Sequence, residues 1–302
     1  MKRRHGARLA LLGAATLALA TEACAGTLDL VDAMSRRVTV SAPAARLVSL
    51  SPSVTEIVFA IGAESALVGV SKHCDYPVAA KLKPRLGEFN KPDVQKIRDA
   101  GADLVLFTEY VRPEDLTALD QAGITSLVLP AARVADVAAA VRLLGDLTGR
   151  TATAAALAAD LENGVAALRK RFESLAEEDR PRVYTEVDGP ARLYAVGPGS
   201  FMDEMVRLAG GRSAFADRKE AYFPVSSWDV VDADPQVILV DHPFQYKVGV
   251  AKRLGWTGIA AVRDGRVYDG TDFDIILFNR PGPRILQSLG QIVRLLNAGG
   301  AP

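Results

Sequence analysis

Short apolar runs separated by helix-length stretches recur along most of this chain, and that alternation constrains its fold more than any other feature. RLVSL (46–50), ALVGV (66–70), DLVLF (103–107) and SLVLP (126–130) are strand-length and almost uninterruptedly apolar. A strand covered by helices on both faces of a parallel sheet reads this way. Between the runs, SPSVTEIVFAIGA (51–63) and stretches from about Pro92 and from Pro113 predict helices. In the first of these, Ser53 and Glu56 have capping-box spacing, and Ile57, Phe59, Ala60 and Ile61 provide the apolar content before Gly62 ends it. The alternation resumes after Pro181 with RVYTEV (182–187), LYAV (193–196), a helix over 200–209, VILV (237–240) and a last helix from Pro281. Units of this kind predict βαβ connections.

From Val134 to Glu178 the chain is alanine-rich and free of proline, which predicts long helix with a break near Thr148–Thr151. The halves on either side echo each other. GPGSFMDEMVRLAGG (197–211) repeats the layout of residues 51–63, and DVVDADPQVILV (229–240) repeats DVQKIRDAGADLVLF (93–107), in the same order. The expected fold is α/β, with two similar lobes of mainly parallel sheet joined by one long helix and a ligand cleft between them. The boundaries follow as 1–25, 26–149 for the N-terminal lobe, 150–180 for the connecting helix and 181–302 for the C-terminal lobe.

Residues 1–25 carry their own signal. Lys2, Arg3, Arg4 and Arg8 precede an apolar run from Leu9 to Ala20, with Ala23 and Ala25 at cleavage-site spacing. The run is shorter than the ~20 residues a membrane span needs. An exported chain starting at Gly26 is expected. The rival reading lipidates Cys24, with Glu22 standing where a small residue is usual. Cleavage removes four basic side chains and one acidic one, so the balance of 36 basic and 36 acidic residues becomes a formal charge of −3. Neither form suggests a nucleic-acid partner. One cysteine, Cys74, is left after cleavage and reads as a small buried thiol. With only His73 and His242 left, a three-histidine metal site is excluded.

LDLVDAMSRRVTVSAPAARLVSLSPSVTEIVFAIGA, LVGVSKHCDYP, PRLGEFNKPDVQKI, DLVLF and RPGPRILQSLGQIV together resemble the solute-binding proteins of ABC importers for cobalamin, haem and iron–siderophores. GVSKHCDYP followed by PRLGEF is most similar to the cobalamin-binding branch. The resemblance implies a periplasmic protein of two rigid lobes linked by one long helix over about 150–178. It also implies capture of a corrinoid, or alternatively of haem or a ferric siderophore, and delivery to a permease and its ATPase. No resident cofactor is implied, and a monomer is expected.

Carried onto matching positions, the resemblance places His73, Phe89 and Tyr194 in the pocket, with Arg280 from the closing lobe. Arg280 and Arg284 bracket the PGP turn, which reads either as helix initiation or as Arg280 donating into the cleft, with Arg284 in a structural pairing. Tyr222, Phe223, His242, Phe244 and Tyr246 add aromatic or imidazole groups on second-lobe loops. A wide apolar disc needs aromatic faces and a few polar groups at its rim, while core packing is the alternative for each single aromatic. His73 has three readings: a corrinoid contact, an iron ligand, or a solvated side chain at the cleft edge. The family docks on its permease through one glutamate on each lobe, and those positions hold Gln95 and Trp228 here. Asp93 and Asp229 lie beside them as substitutes, with Asp99 and Asp232 further along. Against catalysis, the chain has no G-x-S-x-G elbow, Walker loop or H-E-x-x-H motif. A hydrolase built on Ser200 would have only two histidines from which to draw a base.

Overall fold

A computed structural model describes residues 26–187, 192–241 and 246–298. The leader and Cys24 fall outside them. The described chain begins with an antiparallel hairpin, β1 (Gly26–Val31) and β2 (Arg37–Ala42), which the sequence patterning did not reveal. β3 (Leu47–Ser49) then leads through α1 (Pro52–Ala60) to β4 (Leu67–Val70). A tight hairpin, β5 (Gly87–Glu88) and β6 (Lys91–Pro92), precedes α2 (Val94–Asp99) and β7 (Leu104–Thr108). From β7 the chain passes through α3 (Pro113–Gln121) to β8 (Thr125–Leu129). The sheet order is β4-β3-β7-β8, and every pair is parallel. All five residues of β7 are buried, as a strand covered on both faces requires.

The first helix corrects one expectation. Its N-cap is Ser51, with Pro52 in the first turn, so Ser53 and Glu56 form no capping box. Proline's fixed φ and missing N–H suit that first position. Glu56 is thereby left free for the inter-lobe contact described below.

α4 (Val134–Thr148) ends at Gly149, whose φ of +68° places it in the left-handed region that closes helices, and α5 (Thr151–Arg171) follows. At 21 residues α5 is about 30 Å long. It stops at Arg171, short of the predicted 178. α5 packs on α4, where Gly145 leaves no room for a Cβ against Ala154.

The second lobe contains β9 (Arg182–Val187), β10 (Tyr194–Val196), α6 (Phe201–Leu208), β11 (Arg212–Ser213), β12 (Tyr222–Pro224), α7 (Ser227–Ala233) and β13 (Val237–Val240). α8 (Lys247–Ala251), α9 (Ala260–Arg263), β14 (Val267–Tyr268), α10 (Ile275–Phe278) and α11 (Ile285–Asn297) complete it. The order is β12-β10-β9-β13-β14, with β11 beside β9. β9, β11, β13 and β14 run parallel, while β10 and β12 pair antiparallel, so this sheet is mixed. The last helix starts at Ile285 instead of Pro281, because residues 281–284 are held in a turn.

One apolar cluster runs through both lobes. It takes Leu47 and Leu104 from the first sheet, Val141 and Leu161 from α4 and α5, and Met205, Leu289 and Ile292 from α6 and α11. α5 therefore does not bridge open solvent. It is packed on its second-lobe side against α6 and α11. Each lobe also keeps a cluster of its own, around Phe107 and Leu119 in the first and around Tyr184 and Trp256 in the second.

Candidate ligand cleft between the lobes

In open α/β sheets the free space lies beyond the carboxyl ends of the strands. Here a cavity of about 310 Å³ opens between the lobes at that level. On the first-lobe side it is lined by Ser51 and Ser53 after β3, Phe89 at the β5–β6 turn, and Thr108 and Tyr110 at the end of β7. On the second-lobe side stand Ser200 and Met202 at the start of α6, Tyr222 on β12, and Asn279 and Arg280 after α10. The N-terminal ends of α1 and α6 thus open on one space from opposite lobes. Their unpaired backbone N–H groups carry positive partial charge.

The wall is apolar above and hydroxylic below. Phe89 is 45% exposed and Tyr222 42%, which is unusual for large rings in a folded chain. Ser51 and Ser53 hydroxyls lie 3.0 Å apart, and Thr108 donates to Ser51 at 3.2 Å. Beneath them Thr55 donates to Ser49 at 2.8 Å and to the Sγ of Cys74 at 3.1 Å, so Cys74 sits fully buried inside the hydroxyl chain. Burial pushes the Tyr222 phenol up to about 12, with smaller contributions from Tyr110 and Asp241. It therefore meets a ligand as a neutral donor.

Arg280 is anchored rather than free. Its Nη1 donates to Glu56 at 2.7 Å and to Asp75 at 3.0 Å, both first-lobe residues. Arg284 donates to the two Glu56 oxygens at 2.7 and 2.6 Å and lies over the Tyr76 ring, 3.6 Å from its centroid. Glu56, with a side chain only 1% exposed, thus carries two arginines of the other lobe. Burial alone would lower the Arg284 pKa, but the Glu56 hydrogen bonds and charge outweigh it and hold the guanidinium above its ordinary value. Sequence reading paired Arg284 structurally but assigned Glu56 to a helix cap, since nothing local marks a partner more than two hundred residues away.

The structure brings Phe89, Tyr222 and Arg280 to this cavity and leaves other candidates outside its lining. His73 is half-exposed, its Nε2 3.4 Å from the carboxylate of Glu88, which also pairs with Lys72. Tyr194 accepts a hydrogen bond from Arg192 at 2.9 Å and carries that guanidinium over its ring at 5.2 Å. Tyr246 packs on the second-lobe core beside Arg253. Phe223 is buried edge-on against Phe215. For these last two the core-packing alternative holds. His242 and Phe244 lie outside the described residues. Ser200 caps α6 by accepting from the Asp203 N–H at 3.1 Å and donates to the Gly197 carbonyl at 2.8 Å, so its hydroxyl is already committed. Sequence reading missed Tyr110, Thr108, Ser51 and Asn279. A rule that scans loops just after strand ends finds the first three.

Residues 47–272 match the family described as periplasmic binding protein. The chain belongs to that family. A cobalamin-binding protein of Halobacterium salinarum is 30% identical over 289 residues, covering 90% of this chain and 75% of that one. The vitamin B12 binding protein BtuF of Vibrio cholerae superposes with a TM-score of 0.73 at 25% identity, over 85% of this chain and 98% of that one. The heme-binding protein RhuT of Roseiflexus sp. RS-1, in apo form, does so with a TM-score of 0.74 at 25% identity, over 84% and 98%. This periplasmic binding protein is the substrate-binding component of an ABC importer, which implies a permease, an ATPase and a small-molecule ligand.

The residues at the expected docking positions make local contacts. Asp93 is the N-cap of α2 and pairs with Lys96 at 2.9 Å, and the Lys96 hydrogen bonds hold its carboxyl below the usual range. Gln95 donates to Asp99 at 2.8 Å. Asp229 closes a capping box with Ser226, whose backbone hydrogen bond likewise lowers its pKa. Trp228, 61% exposed, lies against Gly255. Among the described residues no group of three or more His, Cys, Asp or Glu is placed to hold a metal ion, and no helix is long and apolar enough to cross a membrane.

Proposed function

We propose that this binding protein captures cobalamin or a related corrinoid in the inter-lobe cleft and hands it to its permease. The observation that carries the reading is the pairing of half-exposed rings on opposite walls, Phe89 and Tyr222, with the anchored guanidinium of Arg280. Cobalamin combines a broad apolar corrin face with rim amides and a phosphate. Aromatic walls, helix N-termini and an arginine match those groups in turn. The cobalamin- and B12-binding relatives support the same ligand.

His73, Tyr194 and His242 act in this reading as outer contacts of a ligand that overfills the cavity. Residues 1–25 direct export and are removed before Gly26, leaving a monomer of two lobes, 26–149 and 181–302, linked through 150–180. Docking uses Asp93 and Gln95 on one lobe and Trp228 and Asp229 on the other. The deciding experiment mixes purified protein separately with cyanocobalamin, haemin and a ferric siderophore and records absorbance and stoichiometry. A tight one-to-one corrinoid complex is expected. A sharp Soret shift with haemin and no response to cobalamin overturns the ligand assignment, and ester turnover without a stable complex overturns the binding role.

A further inference from the structure

Arg280 is the only charged side chain that lines the cleft among the described residues. Its charge is already answered, because Nη1 donates to the carboxylates of Glu56 and Asp75. Nε and Nη2 make no hydrogen bond among the described residues, so Arg280 meets a ligand as a directed donor without spare charge. Asn279, the residue before it, lines the same cavity. Its amide is not free to turn.

Asp241 decides which way that amide faces. It follows β13 directly, and its backbone N–H donates to the Glu186 carbonyl on β9 at 2.8 Å. Asn279 closes α10, where its own N–H donates to the Ile275 carbonyl at 3.1 Å. Between these two fixed points, Nδ2 of Asn279 donates to both Asp241 oxygens, at 3.1 and 3.2 Å. A carboxylate only accepts, so the NH2 side of the amide must face it. The Asn279 side-chain oxygen is the atom left over, and it accepts no hydrogen bond among the described residues. Positions 279 and 280 therefore offer a ligand one acceptor beside one donor.

We infer that Asn279 and Arg280 read primary carboxamides on the ligand's edge, and that Asp241 is the positioning residue that makes them refuse carboxylates. A carboxamide carries one acceptor and one donor, the complement of this pair. A carboxylate carries two acceptors, so one of its oxygens would meet the Asn279 oxygen, with the Asp241 carboxylate behind it. No unmatched cation among the described lining residues offsets that cost. A site arranged to hydrogen-bond an N–H rejects the analogue lacking it far more strongly than an apolar wall does. The inference deepens the cleft reading above and rests on it, but not on the ring being a corrin.

The test titrates full-length mature protein with two matched pairs of probes and follows absorbance. One pair is cyanocobalamin and the corrinoid acid made by hydrolysing its edge amides, and the other is haemin and its bis-amide. The unmutated protein should favour the amide member of the pair it binds by about tenfold or more. Asp241→Asn keeps the side chain's shape but lets the Asn279 amide turn over. The preference should then shrink about tenfold, with the amide member bound more weakly and the acid member more tightly. The ligand-free unfolding midpoint should barely move. Asn279→Leu, at an exposed position, carries the test independently and should weaken the amide member alone. An unchanged preference in either variant overturns the inference. So does an equal loss of both members with a lowered midpoint, which would mark Asp241 as structural. Preference of the unmutated protein for the acid member of either pair also overturns it. Binding of the haem bis-amide over haemin, with no response to cobalamin, defeats the corrinoid reading alone and supports the selector. Binding of none of the four probes overturns both.

Discussion

Replacing Glu56 by alanine tests the inter-lobe contact most directly. The carboxylate is 1% exposed and receives Nη1 of Arg280 together with Nε and Nη2 of Arg284. Removing one partner of a buried pair leaves uncompensated charge and costs about 3–5 kcal/mol. Two features place this site at the lower end. Arg280 keeps Asp75 at 3.0 Å, and Arg284 keeps the Tyr76 ring at 3.6 Å, with 12% and 20% of the two side chains still open to water. A loss of about 3 kcal/mol is therefore expected, which for a chain of this size lowers the unfolding midpoint by roughly 6–12 °C. Chemical denaturation followed by far-ultraviolet circular dichroism measures the loss, and Glu56→Ala combined with Arg284→Met gives the coupling by a double-mutant cycle. A loss under about 1 kcal/mol, or additive single effects, would show the contact to be solvated and the reasoning wrong.

Further expectations follow from the same geometry. Phe89→Ala should weaken cobalamin binding about thirtyfold, a loss of ~2 kcal/mol, with little effect on the free protein's midpoint, as isothermal titration and thermal melts will show. Burial raises the Asp203 pKa, with Glu177 and Glu204 adding to it, so the stability this group lends is present below its ordinary value of 3.8 and lost as pH rises through the folded-state value. Asp203→Asn should accordingly stabilise the protein at pH 7 and give no gain near pH 3, and a gain that persists at low pH contradicts the assignment. Small-angle scattering should detect little compaction on ligand addition, because the lobes share one core; a large decrease in radius of gyration would count against this. The intact mass of natively exported protein should correspond to a chain starting at Gly26, and a diacylglycerol adduct on Cys24 would overturn that.

Much of the architecture was legible because burial writes itself into local pattern. The runs that became β3, β4, β7 and β8 are apolar on successive residues, and the proline-free stretch became α4 and α5 with its break at Gly149. Shorter elements escaped, since two-residue strands such as β11 and β14 have no period to detect. LYAV was read as a strand and became β10, but its antiparallel pairing with β9 and β12 escaped, because direction is set by pairing partners rather than by composition. Of the residues that line the cavity, Phe89 and Arg280 were marked in the sequence by motif resemblance and Tyr222 as a second-lobe aromatic. Tyr246 packs on the second-lobe core, and an aromatic on a loop looks the same in sequence whether it faces a cleft or a core. Tyr110 was invisible, for a left-handed backbone at a non-glycine position leaves no mark in the residue string.

The apolar cluster that passes from Leu47 through Leu161 to Ile292 also bears on how such a protein can be recombined. A lobe exchanged with that of a distant relative would arrive with side chains cut to a different partner surface. The mismatch would fall on the seam among α4, α5, α6 and α11. Hybrids that trade ligand preference are thus better made by swapping the loops after β3, β7 and β10 than by swapping whole lobes. For this molecule the unit of inheritance is the entire two-lobed body, with only its cleft loops separable.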